Sequence, residues 1–178
     1  MYQGIIMSGF GGQGVVSGGI MLAYAGMVDG KNVTFFPAYG AEMRGGTANC
    51  SVVISSDPVA SPVVGTPDSI LIMNEPSLAR FEPALKQGGL LFLNTSLVAS
   101  RPSRTDITVI EVPANDIAEE LGNIKTANMV MLGAYAAKTG AVKIETLKNN
   151  IKKVYIRASD KMVAINGKAI DRGTALAA

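Results

Sequence analysis

The sequence contains no histidine and a single cysteine, Cys50. Without histidine there is no Ser–His or Cys–His pair for nucleophilic catalysis within the chain. One thiol makes neither an internal disulfide nor a Cys-ligated iron–sulfur cluster, and a thiolate–imidazole zinc site is likewise excluded. The lack of disulfides suits a reducing cytoplasm, the expected location. Charge is scarce as well: Asp, Glu, Lys and Arg make up 17% of the residues. The 16 basic and 14 acidic side chains leave a net charge of +2, too even a balance to point to nucleic acid or a membrane surface. No apolar run approaches the roughly 20 residues that a membrane span needs. The start, Met1-Tyr2-Gln3-Gly4, lacks the basic segment of a signal peptide.

What is present is apolar. Hydrophobic residues are 48% of the 178, enough for one domain with a real core. Scarce charge has two readings. Either a parallel sheet is well covered by its own helices, or part of the surface is covered by a partner, because charged residues are depleted at interface cores.

Hydrophobic spacing and breakers predict an alternation of strands and helices. Strands are expected at Ile5–Ser8, Asn32–Phe36, Thr47–Ser55, Ser69–Asn74, Leu90–Asn94 and Ile107–Val112. Helices are expected at Val15–Met27, Pro76–Lys86, Pro113–Leu121, Asn128–Lys138, Thr146–Lys153 and Asp160–Arg172, with Asn128 as an N-cap. Tyr39–Gly46, Asp57–Asp68 and Thr95–Asp106 read as loops. Alternation of this kind implies a single Rossmann-like α/β domain, a mostly parallel sheet with helices on both faces. Residues 1–173 form that domain, and 174–178 read as a frayed or partner-docked tail.

The densest motif is Gly9-Phe10-Gly11-Gly12-Gln13-Gly14, four glycines within six residues between a strand and a helix. Gly9, Gly11 and Gly14 fit G-x-G-x-x-G. Glycines allow a tight turn, and the following helix offers unpaired N–H groups and a positive dipole end that favour an anion. A dinucleotide site also needs an acidic residue at the end of the second strand, about 20 residues on, to hold a ribose hydroxyl. Here that strand ends Thr34-Phe35-Phe36-Pro37; Asp29 precedes it and Glu42 lies in the next loop. Three readings stay open: a nucleotide site, a purely structural strand–helix turn, or a backbone surface facing a partner or a shared ligand.

A second motif, Tyr39-Gly40-Ala41-Glu42-Met43-Arg44-Gly45-Gly46, accompanies the first. Together with Ser61-Pro62, the Asp68–Asn74 strand, the Lys86–Asn94 segment and Asn128 with Leu132-Gly133-Ala134, the pair resembles the gamma subunit of 2-oxoacid:ferredoxin oxidoreductases over almost the whole chain. The resemblance implies one part of a multi-subunit enzyme, inactive alone. Such a complex oxidatively decarboxylates a 2-oxoacid, passes the acyl group to coenzyme A and reduces ferredoxin. Thiamine diphosphate and Mg²⁺ belong to the alpha and beta subunits, and iron–sulfur clusters to a beta or a ferredoxin-like delta subunit. None of these is expected in this chain, which is implied to pack beside the thiamine site and to help receive coenzyme A.

The candidate ligand or interface residues are Gly9, Gly11, Gly12, Gln13, Gly14, Tyr39, Glu42, Arg44, Gly45, Gly46 and Asn128. Arg44 can pair a carboxylate or phosphate in bidentate fashion, or meet Glu42 or an acid of a neighbouring subunit as an assembly contact. Gln13 is positioned to donate from the helix start. Asn128 is either a helix cap or a ligand contact, Tyr39 either stacks at an interface or closes its loop, and Cys50 reads as a small core residue. Lys152, Lys153, Arg157, Lys161, Lys168 and Arg172 make the C-terminal part basic. They are either a solvated helix face or an attraction for acidic ferredoxin or coenzyme A phosphates. Both glycine-rich loops follow strands and are expected on one sheet edge, facing the catalytic subunits. The competing functions are a free-standing nucleotide-binding enzyme, a homo-oligomeric scaffold and an indolepyruvate-type subunit.

Overall fold

The computed structural model describes residues 1–38 and 47–177. The described strands are β1 (Tyr2–Phe10), β2 (Asn32–Ala38), β3 (Thr47–Ser55), β4 (Ser69–Ile72), β5 (Leu90–Asn94) and β6 (Thr108–Val112). The described α-helices are α1 (Val15–Val28), α2 (Glu75–Phe81), α3 (Ala114–Glu120), α4 (Ala127–Thr139), α5 (Ile144–Val154) and α6 (Asp160–Ala177). The strands form one sheet in the order β2-β3-β1-β4-β5-β6. β1, β4, β5 and β6 pair in parallel, while β3 runs antiparallel to both β1 and β2. β2 therefore shares the direction of β1, and β3 alone among the described strands is reversed. The expected mostly parallel α/β sheet is present.

Side-chain alternation along the central strands sorts the core into two layers. Ile5, Met7, Cys50, Val52, Leu71, Met73 and Phe92 point to the face covered by α1, α3, α4, α5 and α6. Ile6, Val53, Ile70, Ile72, Leu91 and Leu93 point to the other, where Leu78 of α2 packs with Val64, Leu85 and Val98 from connecting segments. The helices do lie on both faces, but unevenly: α2 is alone on the second.

α4 and α6 cross with backbones in contact. A β-carbon at Gly173 would collide with the Val130 carbonyl, and one at Gly133 with the Ile170 carbonyl. Two glycines facing each other in this way let an almost wholly buried α4 sink between the sheet and α6. Asp29, just past α1, accepts from Lys143 N–H at 2.7 Å and Thr146 Oγ1 at 2.6 Å, which ties the end of α1 to the first turn of α5.

Several boundaries move for physical reasons. β1 runs well past Ile5–Ser8 because its ladder with β3 continues from Tyr2↔Ser55 to Phe10↔Thr47. The helix expected over Pro76–Lys86 stops at Phe81, and a 3-10 turn over Glu82–Ala84 follows, where Pro83 has no N–H to continue the ladder. α6 continues to Ala177, so 174–177 is helical, with Thr174 Oγ1 donating to Ile170 O at 2.9 Å. Asn128 is not an N-cap. A 3-10 turn at Ile124–Thr126 precedes α4, Thr126 takes the cap position, and Asn128 lies inside the helix.

A methyl group at the α4–α6 crossing has nowhere to go. Gly173→Ala is expected to cost about 2–3 kcal/mol, lowering Tm by roughly 5–10 °C in a chain of this size. Thermal unfolding followed by circular dichroism checks this, and a Tm within a degree of wild type would contradict it.

Candidate functional site

β1 ends at Phe10 and the chain turns sharply before α1 begins at Val15. Gln13 closes this turn internally. Its Oε1 accepts from Phe10 N–H at 2.6 Å, its Nε2 donates to Met73 O at 3.1 Å, and its own N–H donates to Phe10 O at 3.2 Å. Its amide oxygen and one of its two amide N–H groups are thus engaged within the chain. Asn94, at the end of β5, also donates to Met73 O, at 3.3 Å. That carbonyl joins the turn to the ends of β4 and β5.

Gly14 is the pivot. Its φ of 73° lies in the left-handed region, and a β-carbon there would collide with the Asn128 side chain. Its carbonyl accepts three hydrogen bonds: Gly18 N–H at 2.7 Å, Ser17 Oγ at 3.1 Å and Asn128 Nδ2 at 3.0 Å. Asn128 Nδ2 also lies 3.4 Å from the Tyr155 hydroxyl. Asn128 therefore fastens the start of α4 to the start of α1. Burial raises the pKa of the Tyr155 phenol, keeping its proton in place as a hydrogen-bond partner.

A cleft of about 500 Å³ opens beside this junction. Gly12, Gly14 and Ser17 form one side and Asn128 and Met129 another; Val154, Tyr155 and Ile156 with Met162 of α6 complete the walls. Lys125 and Arg157 stand at the cleft as exposed cations, and among the described residues no carboxylate lines it. Positive charge over mostly apolar walls, next to the N-terminal ends of α1 and α4, fits an anion with an extended apolar body.

The structure brings Gly12, Gly14 and Asn128 together at the cleft, packs Gly9 against Met73 and Val15 beneath the turn, and leaves Gly11 exposed with open space around it. Tyr39, Glu42, Arg44, Gly45 and Gly46 lie outside the described residues. Their flanks end on the edge that carries the glycine turn, Thr47 paired with Phe10 and Ala38 with Asn49. Lys125 and Tyr155 escaped sequence reasoning. Lys125 lies two residues before α4 and Tyr155 directly after α5, and only the packing of α4 against α5 and α1 places them beside Gly14. Lys152 and Arg172 pair with Asp160 and Glu120 on the surface.

Cys50 is fully buried, its thiol 3.5 Å from Val15 O, and burial pushes its pKa up to about 12. It offers no thiolate to an iron–sulfur cluster. No group of three or more His, Cys, Asp or Glu among the described residues could hold a metal ion, and no described helix is long and apolar enough to cross a membrane.

Two outcomes test this site. Asn128→Ala strips one donor from the Gly14 carbonyl and is expected to destabilise by about 1–2 kcal/mol, whereas an unchanged denaturant midpoint would contradict the fastening role. The folded chain holds the Cys50 proton up to about 12, against about 9 once unfolded. The folded state then binds more protons in that window, and stability falls as pH rises through it. Native Cys50 is accordingly expected to resist iodoacetamide at pH 8–9 and to react on unfolding; fast native alkylation would contradict its burial.

The comparisons with known proteins bear on the sequence and the fold. Residues 4–176 match the family model for pyruvate ferredoxin/flavodoxin oxidoreductase. The ketoisovalerate oxidoreductase subunit VorA of Methanothermobacter marburgensis is 40% identical over 169 residues, which cover 94% of this chain and 35% of that one. The chain thus spans about a third of that relative's length. The crystal structure of the keto/oxoacid ferredoxin oxidoreductase gamma subunit from Geobacter sulfurreducens superposes with a TM-score of 0.88 at 29% identity, over 99% of this chain and 97% of that one. A 2-oxoglutarate:ferredoxin oxidoreductase from Magnetococcus marinus, whose structure holds 2-oxoglutarate, coenzyme A and succinyl-CoA, gives a TM-score of 0.89 at 26% identity, over 99% of this chain and 31% of that one. On sequence, fold and the glycine turn together, the chain belongs to the pyruvate ferredoxin/flavodoxin oxidoreductase family.

Proposed function

We propose that the chain is the gamma-type subunit of a cytoplasmic 2-oxoacid:ferredoxin oxidoreductase. The complex would convert a 2-oxoacid and coenzyme A to acyl-CoA and CO₂, the electron pair passing to ferredoxin. The observation that carries this reading is the end-to-end match to a gamma subunit, 99% of this chain against 97% of that one. Thiamine diphosphate, Mg²⁺ and the iron–sulfur clusters, which supply the decarboxylation and the electron path, then belong to alpha, beta and delta partners. The residues described above do not fit them: the one thiol is sealed in the core.

Within the complex we assign this chain to receiving coenzyme A. Lys125 and Arg157 meet its phosphates, the backbone around Gly12 and Gly14 faces them, and the apolar walls from Met129 to Met162 take its less polar parts. Gly11, with nothing packed against it, allows close approach of the ligand or of a catalytic subunit. Arg44, in the sequence motif between β2 and β3, contributes a further cation or an assembly contact. The nucleotide-enzyme reading has less to stand on, because β2 closes on Phe36-Pro37-Ala38 with no carboxylate for a ribose.

The test is to purify the complex through a tag on this chain and assay viologen reduction with pyruvate, 3-methyl-2-oxobutanoate, 2-oxoglutarate and an arylpyruvate. Coenzyme A-dependent reduction with one of them is expected, and none from the chain alone. Lys125→Ala/Arg157→Ala is expected to raise KM for coenzyme A about tenfold or more, as the loss of two charge-assisted contacts implies, with the 2-oxoacid KM unchanged. Arg44→Ala is expected to weaken assembly or raise the coenzyme A requirement. An unaltered KM in the double variant removes the cleft from the proposal; full redox activity in the single chain removes the subunit reading.

A further inference from the structure

We infer that Asn166 reads the adenine base of coenzyme A, so that the recessed part of the cleft is a base-binding subsite. The inference rests on the coenzyme A reading and adds to it which end of the molecule the cleft holds.

Asn166 lies on α6 and is 6% exposed. It stands four residues past Met162 and seven before Gly173, on the side of the helix that holds Ala169 and Ile170 and packs on α4. A carboxamide on a packing stripe is costly unless it is hydrogen-bonded. Among the described residues the Asn166 amide has no such partner. Nor is it sealed in. The shielded, partnerless side-chain polar atoms among the described residues belong to Thr34, Ser69, Asn74 and Tyr135. The Asn166 amide therefore reaches open space, and the open space beside it is the cleft, which it lines together with Met162.

The neighbouring polar groups of the cleft are committed to the fold. Ser17 Oγ donates to Gly14 O at 3.1 Å. Asn128 Nδ2 donates to Gly14 O and meets the Tyr155 hydroxyl. Asn166 keeps a carbonyl oxygen and an NH₂ group side by side and unspent. The complement of such a group carries a donor and an acceptor on one edge. Adenine has that edge, its exocyclic amine next to a ring nitrogen, and asparagine pairs with it in bidentate fashion. The pantetheine amides lack it, because a trans secondary amide holds its N–H and C=O on opposite sides.

The rest of the cleft suits a base. Met129, Val154 and Met162 offer apolar and thioether walls to a flat ring. Met162 is itself held in place, its sulfur 3.3 Å from Asn123 Nδ2. Lys125 and Arg157 stand exposed at the same cleft. The ribose next to the adenine of coenzyme A carries phosphate on two of its hydroxyls, so base and phosphates enter one cleft together. The thiol-bearing arm is then left to extend out of this chain, toward the subunits that handle the acyl group.

The experiment measures dissociation constants by calorimetry on the complex purified through a tag on this chain. Wild type is compared with Asn166→Leu, which keeps a similar side-chain volume. Coenzyme A is expected to bind the variant at least about tenfold more weakly, as the loss of a bidentate pair implies. Phosphopantetheine, which has a phosphate but no base, is expected to bind both alike. The variant's Tm is expected at or above the wild-type value, because an unpaired buried amide has been removed. A lower Tm with both ligands weakened alike makes Asn166 part of the framework and overturns the inference. Equal loss for both ligands at an undiminished Tm assigns Asn166 to the pantetheine arm and overturns it too. Unchanged coenzyme A binding by the folded variant overturns it while leaving the cleft in place. A wild-type complex that binds no coenzyme A sinks the coenzyme A reading and the inference with it. Should the variant fail to fold, the wild-type complex decides with ethenocoenzyme A, whose bridge blocks the exocyclic amine and the adjacent ring nitrogen. Binding at least about tenfold weaker than that of coenzyme A supports the base subsite, and equal binding overturns it.

Discussion

The Gly14 carbonyl holds the domain's two halves in register. Gly18 N–H and Ser17 Oγ reach it from within α1, and Asn128 Nδ2 reaches it from the start of α4. That last bond joins residues 114 positions apart. It forms only because α4 has sunk onto the sheet, which in turn needs Gly133 and Gly173 to let α6 close over it. A local turn, a long-range hydrogen bond and a glycine-mediated helix crossing therefore act as one chain of dependence. The walls of the cleft are its consequence.

A turn fixed in this way is suited to presentation rather than reaction. Gln13, which in isolation looks free to bind a ligand, is committed to Phe10 and Met73, and Cys50 is sealed in the core. What remains open is backbone at the start of α1, two cations and apolar walls. Such a surface can orient an anion and shield part of it from water without exchanging a proton or an electron with it. On the proposed reading, the redox chemistry lies in other subunits and this domain contributes geometry to the reaction they run.

Much of the architecture was legible because its signals are local. The apolar runs of β4 and β5, the glycine and proline punctuation and the helical spacing of α1 are each decided within a dozen residues. The reversed β3 was read as a strand, but its direction was not, since a strand's apolar pattern is the same in either sense. Asn128 looked like a helix cap because caps are recognised by residue type and position; nothing near it in sequence reveals that Gly14 lies within reach. Lys125 and Tyr155 were invisible for the same reason. The glycines of the turn were visible as a group, but their separate duties were not. Gly14 serves conformation and packing, Gly9 serves packing, and Gly11 serves neither within the fold.

The account stands on one claim, that a preformed glycine-turn cleft on a domain without redox groups of its own receives coenzyme A inside a larger complex. A density map of the purified complex with coenzyme A bound, by electron cryomicroscopy or crystallography, tests it most directly. The account predicts phosphate density between Gly12, Gly14, Lys125 and Arg157, with another subunit in contact with this chain. Coenzyme A held entirely by other chains, with the cleft open to solvent, would contradict it.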